Sequence, residues 1–167
     1  YPQAANGVSL YKVQYPTVIP EQGNKPTRVS GWVAVRQTAQ KKLPVVSYQH
    51  GTVFTRTAVP SRPEESDETR IVTARLAGNG YVVIAADYIG KGDSSEPDSY
   101  MVREATVQAC VDMLFAARAV LADLGITEDG LFLSGWSQGS WSTQQLRHRL
   151  ETFNIPVKAA ATAATPA

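Results

Sequence analysis

Beyond residue 42, short apolar runs alternate with segments of helical periodicity, and this alternation constrains the fold more than any other feature of the sequence. Residues 81–86 are almost continuously apolar, which is typical of a strand covered on both faces. Helices are predicted on either side of this run, at 64–76 and 102–124, and glycines follow each of them. A strand–helix–strand order predicts a mainly parallel sheet with helices on both faces.

The first forty residues favour β structure. Residues 10–18 and 27–36 combine period-two alternation with β-branched residues, and a cluster rich in Pro, Gly and Asn at 20–26 separates them. These two strands predict an antiparallel hairpin at the entrance to the sheet. The fold class is therefore α/β, with a mainly parallel sheet and an antiparallel N-terminal hairpin. The remaining predicted elements are strands at 44–48, 131–134 and 156–160 and a helix at 138–150.

Composition excludes several classes of function. The 16 Lys and Arg residues nearly balance the 15 Asp and Glu residues and form no basic block, which argues against a nucleic-acid partner. A single cysteine, Cys110, excludes an intramolecular disulfide framework and a cysteine-cluster zinc site, and its helical position predicts a core residue. No metal or organic cofactor is implied. No apolar run approaches the ~18–20 residues that span a bilayer, so no transmembrane segment is predicted.

The sequence Gly135-Trp136-Ser137-Gln138-Gly139 is the strongest chemical signal. An apolar strand enters it and a helix leaves it, which is the strand–turn–helix context of a nucleophile elbow. The glycines allow a turn too tight for side chains, and the serine then lies above the N-terminus of the helix. Free N–H groups at that end favour developing negative charge. The alternative is an ordinary βα turn that happens to contain a serine.

A second candidate segment, His50-Gly51-Thr52, directly follows the third strand. Attack on a carbonyl requires two backbone donors for the oxyanion. One is the N–H of Gln138, and the other comes from the loop after this strand, from either Thr52 or Val53. His50 is favoured as a structural hydrogen-bonding residue that shapes this loop, together with Gly51. The alternative for His50 is the role of catalytic base.

The segment Gly90-Lys91-Gly92 also follows a strand and suggests a phosphate-binding loop. Ser95 stands where a third glycine is required, and the next residues delay the helix, so no helix N-terminus is available to a pyrophosphate. A Walker loop is excluded because Lys91 is not followed by Ser or Thr. A nucleotide site is therefore not predicted.

Taken together, these motifs resemble those of the α/β-hydrolase superfamily, in particular its serine esterases and lipases of the secretory-lipase kind. The resemblance covers roughly residues 10–166 and implies an α/β-hydrolase fold, a small-molecule ester as substrate and Ser137 as nucleophile. For Trp136, next to the serine, two roles stay open: lining a substrate pocket or tertiary packing. The resemblance and the start at Tyr1 further suggest a secreted or periplasmic protein. The matching features, in the family's order, are the hairpin, Tyr48-Gln49-His50-Gly51-Thr52, Asp87-Tyr88 with the Gly90–Ser94 loop, and Gly135-Trp136-Ser137-Gln138-Gly139.

The catalytic triad is incomplete in this sequence. The family's order is serine, acid, histidine, but the 30 residues after Ser137 contain only His148 and Glu151 as candidates. His148 lies eleven residues along the predicted helix, about 16 Å from the serine at roughly 1.5 Å per residue. We therefore expect residues 1–167 to form the N-terminal part of a catalytic domain.

A second polypeptide or a missing C-terminal segment would supply the acid and the histidine. Two other accounts stay open: a truncated or degenerate homologue that binds apolar acyl ligands without turnover, and His50 as the base. An acyltransferase or a peptidase would use the same scaffold.

Overall fold

A long antiparallel hairpin opens the sheet in the computed structural model, which describes residues 3–166. Strand β1 (Val8–Ile19) pairs along its whole length with β2 (Lys25–Arg36). A 3₁₀ turn, Pro20–Gln22, joins them, and Gly23 follows it with φ 65°, a conformation that glycine adopts without strain. The hairpin predicted from the sequence is confirmed.

Four further strands complete a single six-stranded sheet of order β1-β2-β4-β3-β5-β6. They are β3 (Lys42–Gln49), β4 (Val82–Ala86), β5 (Thr127–Trp136) and β6 (Val157–Ala163). These four run parallel to one another, and β2 is antiparallel to both of its neighbours. The predicted fold class is therefore confirmed. The loops that follow β3, β4 and β5 all leave from the same end of the sheet.

Three helices cover the two faces of the sheet. Helices α2 (Arg103–Asp123) and α3 (Gln138–Thr152) contact each other on one face. Helix α1 (Asp67–Arg75) lies on the other face, where Val72 packs against β2 and β4. The side chain of Ser66 caps α1 by accepting the N–H of Thr69 at 3.2 Å.

Strand β4 illustrates how the apolar pattern places the core. All five of its residues are buried, with Val82 and Ile84 in the core beneath α2 and α3, and Val83 and Ala85 in the core beneath α1. Cys110 lies in the first of these cores, and burial raises the pKa of its thiol to about 12. Its predicted place in the core is confirmed.

Helix α2 is long and apolar enough to cross a membrane by length and composition, and it is the one such helix among residues 3–166. Its apolar residues are interrupted by polar ones, so the sequence shows a helix at 102–124 but no continuous apolar run. Ten of its 21 residues are buried against the sheet and α3, so in this structure it packs as a core helix.

Strand β6 is the edge of the sheet within the described residues 3–166. Its residues are exposed from Lys158 to Ala163, and β5 is its partner on one side. Beside it, Phe132 and Tyr81 contribute to an apolar depression on the face that carries α1.

Candidate active site

Ser137 lies between the end of β5 and the start of α3 in a rare backbone conformation. Its φ of 53° and ψ of −119° fall in a region that residues with a Cβ seldom adopt. Its N–H donates to the carbonyl of Ala163 at 3.0 Å, and its own carbonyl accepts the N–H of Ser140 at 2.9 Å. The Oγ has no hydrogen-bond partner within residues 3–166. The hydroxyl is therefore presented at the turn without being used in folding.

The two glycines of this turn are fixed by close backbone approaches. A methyl group at Gly135 would overlap the carbonyl oxygen of Gly139, so the turn closes on itself. A methyl group at Gly139 would overlap the carbonyl oxygen of Gln49 and would lie 2.7 Å from that of His50. The turn therefore packs directly against the end of β3, which brings the predicted oxyanion segment beside Ser137.

The segment that follows β3 presents free backbone donors. Within residues 3–166, the N–H groups of Thr52, Val53 and Gln138 donate to no acceptor. The N–H of Gly51 is occupied, because it donates to both carboxylate oxygens of Glu68 at 3.0 and 3.1 Å. The structure thus places the segment that carries Thr52 and Val53 next to the turn that carries Ser137 and Gln138.

His50 is held by the protein backbone. The ring is buried and stacks on Tyr88 with 4.1 Å between ring centroids. Nδ1 lies 2.7 Å from the carbonyl oxygen of Gly51, and Nε2 lies 3.2 Å from that of Asp87. A base needs a nitrogen lone pair directed at the serine hydroxyl, whereas both nitrogens of His50 face carbonyl oxygens. This arrangement agrees with a structural role.

The other histidine, His148, is exposed on α3. Eleven residues of helix separate it from Ser137, about 16 Å along the axis at roughly 1.5 Å per residue. These are the two histidines of the sequence. The described part of the chain therefore brings no imidazole to Ser137 as a base.

The glycine-rich segment after β4 is built around a carboxylate. Asp87 is fully buried, and its carboxylate accepts the hydroxyl of Ser30 at 2.5 Å and the N–H of Ser61 at 2.8 Å. Gly92 has φ 57°, and a methyl group there would overlap the Asp87 carboxylate. The N–H of Gly92 donates to the carbonyl of Arg56 at 2.8 Å, which links this segment to the one that follows β3. The glycine thus has a packing role.

Two charged residues next to the site were not predicted as site residues: Glu68 was not considered, and Lys91 was considered only for a phosphate-binding loop that was rejected. Glu68 accepts the hydroxyl of Tyr48 at 2.6 Å, and burial, with the Glu68 carboxylate, raises the pKa of that hydroxyl well above its usual range. Lys91 is buried and donates to the carbonyl of Val53 at 3.0 Å, while it pairs with Asp98 at 2.9 Å. Their signals in the sequence are indirect: an acid in the first turn of α1 and a lysine between two glycines.

Trp136 is 53% exposed at the rim of the site. A methyl group at Gly51 would lie 2.8 Å from its ring, so the indole packs beside the segment after β3. A cavity of about 560 Å³ adjoins the same segment, and Phe54 and Tyr100 give it apolar walls. The cavity has room for an apolar group next to the free N–H groups of Thr52 and Val53, whereas Trp136 lies outside its lining.

Solved structures of hydrolases share this architecture. No protein-family model matches the chain, and no curated protein matches it. A candidate hydrolase from Legionella pneumophila superposes with a TM-score of 0.86 at 34% identity, over 95% of this chain and 43% of that one. The rice cell wall degrading esterase LipA from Xanthomonas oryzae gives a TM-score of 0.84 at 26% identity, over 98% of this chain and 44% of LipA. The chain has an α/β-hydrolase fold of the esterase and lipase type. Candida antarctica lipase A shares this fold, with a TM-score of 0.70 at 18% identity over 99% of this chain and 40% of the lipase.

The α/β-hydrolase chain spans less than half the length of these solved structures. The resemblance predicted from the motifs is confirmed at the level of the fold. The assignment of the candidate site residues rests on the geometry of this chain alone.

Proposed function

We propose that this α/β-hydrolase chain carries the nucleophile and the oxyanion hole of a serine hydrolase that acts on carboxylic esters. The observation that carries the proposal is the backbone of Ser137, held at φ 53° and ψ −119° between a strand and a helix. Strained residues of this kind cluster at functional sites, and this one presents a hydroxyl beside unpaired N–H groups. The esterases among the solved structures with this fold support an ester as the substrate.

In the proposed reaction, the Ser137 oxygen attacks the ester carbonyl carbon while a base takes the hydroxyl proton. The electron pair of the C=O bond moves onto oxygen, and the N–H groups of Gln138 and of the segment after β3 stabilise the resulting oxyanion. Collapse of this intermediate breaks the bond to the alkoxy group, which leaves as the alcohol with the proton from the base. Water then attacks the acyl-enzyme in the same way and releases the carboxylic acid.

The base and the acid that orients it come from outside this chain, on a second polypeptide or on a further segment. The positions of His50 and His148 support this part of the proposal, since both ring nitrogens of His50 face carbonyl oxygens and His148 lies about 16 Å along α3 from Ser137. The exposed edge strand β6 supports it as well, because soluble proteins avoid a long unpaired edge.

A second candidate function follows from the same observation about the histidines. Without a base, the chain would bind an apolar acyl ligand in the cavity walled by Phe54 and Tyr100 and would not turn it over. The two functions differ in the fate of an ester that reaches Ser137.

Hydrolysis of p-nitrophenyl butyrate by the assembled protein, with whatever segment completes it, tests the proposal. Ser137→Ala should lower kcat by about 10³-fold or more, because it removes the nucleophile. Ser95→Ala, which removes an exposed hydroxyl elsewhere, is the matched control and should leave kcat unchanged. Full activity in Ser137→Ala would overturn the proposal, and ligand binding without turnover in the wild type would favour the second function.

A further inference from the structure

The loop at residues 50–53, here the 50–53 loop, is anchored by side chains from three directions. The carboxylate of Glu68 accepts the N–H of Gly51 at 3.0 Å. Nδ1 of the buried His50 ring lies 2.7 Å from the carbonyl oxygen of Gly51. The ammonium of Lys91 donates to the carbonyl of Val53 at 3.0 Å. Loops are ordinarily mobile, so three side-chain anchors over three residues indicate a backbone held in one conformation.

The anchors are themselves held in place. Glu68 is in the first turn of α1, and the Tyr48 hydroxyl donates to it at 2.6 Å. Lys91 is 8% exposed, and Asp98 pairs with its ammonium at 2.9 Å. A long lysine side chain loses conformational entropy when it is buried. The hydrogen bond to the Val53 carbonyl and the ion pair with Asp98 offset this loss.

The anchors distinguish among the backbone donors of the loop. The N–H of Gly51 is used by Glu68 and is not available to a ligand. In a planar trans peptide the C=O and the N–H point in opposite directions. The Gly51 carbonyl faces the buried His50 ring, so the Thr52 N–H in the same peptide is fixed in the opposite direction. The next peptide, which contains the Val53 N–H, has no such anchor within residues 3–166 on its Thr52 carbonyl.

We infer that Glu68 and Lys91 are positioning residues of the 50–53 loop and that they hold the Thr52 N–H, rather than that of Val53, as the second donor to the oxyanion. The inference rests on the proposed function, and it resolves a choice that the sequence leaves open. Preorganised donors stabilise a transition state because they need no reorganisation when charge develops. Loss of either anchor should therefore slow the chemical step more than it weakens substrate binding.

Kinetics on p-nitrophenyl butyrate with the complete protein test the two anchors. Glu68→Ala and Lys91→Met should each lower kcat by about 10- to 100-fold, with KM within about twofold, since a lost oxyanion donor lowers kcat by roughly 10²–10³-fold. Glu68→Gln should stay within about fivefold of the wild type, because its amide oxygen still accepts the Gly51 N–H. Lys25→Met removes an ammonium that pairs with Glu96 instead, and serves as the matched control with unchanged kcat.

Two measurements on the ¹⁵N-labelled protein keep the inference testable apart from turnover. In Glu68→Ala, hydrogen exchange of the Gly51 amide should accelerate at least tenfold, and unchanged exchange would overturn the anchoring by Glu68. After a phosphonate adduct forms on Ser137, the amide protons of Thr52 and Gln138 should shift downfield. A shift at Val53 in place of Thr52 would overturn the assignment of the donor.

The outcomes separate the inference from the proposed function. Failure of the wild type to hydrolyse esters and to react at Ser137 would refute the proposed function. The hydrogen exchange of the Gly51 amide would still test the anchoring by Glu68. An active wild type with kcat unchanged in both anchor variants would refute the inference alone. Where one variant unfolds, as shown by its melting temperature, the variant of the other anchor provides the test.

Discussion

Replacing Ser137 by glycine should stabilise the fold even though it removes the proposed nucleophile. The backbone at this residue has φ 53° and ψ −119°, a conformation that costs about 1–3 kcal/mol for a residue with a Cβ. Glycine adopts it without strain but loses more entropy on folding, which offsets about 0.5–1 kcal/mol. We therefore expect Ser137→Gly to be more stable than Ser137→Ala by up to roughly 2.5 kcal/mol.

Alanine is the proper reference because it also removes the hydroxyl but retains the Cβ. At about 2–4 °C per kcal/mol for a chain of this size, the melting temperature of Ser137→Gly should exceed that of Ser137→Ala by up to roughly 10 °C. Urea unfolding of both variants gives the free energies directly.

The matched control is the same exchange at an ordinary helical position. Ala119 is exposed on α2, and Ala119→Gly should lower stability by about 1 kcal/mol. The sign of the alanine-to-glycine change should thus reverse between the two positions. A Ser137→Gly variant that is less stable than Ser137→Ala would refute the reasoning that Ser137 is strained.

Three further predictions concern the elements around the site. Gly139→Ala should destabilise the protein by about 3 kcal/mol or more, because the added methyl group overlaps the carbonyl oxygen of Gln49 and the backbone must shift. Urea unfolding measures this loss, and a loss below about 1 kcal/mol would contradict the prediction. The pKa of Asp93 is lowered in the folded protein, and a hydrogen bond from Lys12 contributes most to this shift. The Asp93 carboxylate therefore stabilises the fold above its unfolded pKa of ~4, and this stabilisation is lost as the pH falls through the lower pKa of the folded state. Asp93→Asn should then lower the melting temperature by about 1–4 °C at pH 7 and by less near pH 3, and an equal loss at both would contradict the linkage. Cys110 should react with a thiol-specific disulfide reagent in guanidinium chloride but not in the native protein, because burial raises the pKa of its thiol to about 12. Rapid labelling of the native protein would show that Cys110 is accessible to solvent and would contradict this.

Most of the fold could be predicted because its elements carry local signals. The run at 81–86 matches β4, and the spacing of apolar residues at 102–124 matches α2 within one residue at each end. The ends of β5 could not be predicted, since the strand begins at Thr127 rather than near 131. Its polar first half is extended through pairing with β3, from Lys42 with Thr127 onward, and that pairing is a tertiary effect.

The candidate site was predictable where backbone geometry requires a residue type. Glycine at 135 and 139 and serine at 137 form a local pattern whose cause is local crowding. Glu68 and Lys91 left no such pattern, because each acts on a segment distant in sequence, seventeen residues away for the Glu68–Gly51 contact. An acidic residue in a first helical turn has an ordinary explanation in the helix dipole, which hides its contact with Gly51.

Mass spectrometry of the intact protein and its peptides after reaction with a fluorophosphonate is the most direct test of the central claim. The account predicts one adduct per chain, located at Ser137, formed by the assembled protein that hydrolyses esters and absent from Ser137→Ala. An ester-hydrolysing preparation that carries no adduct at Ser137, or carries it at another serine, would contradict the account.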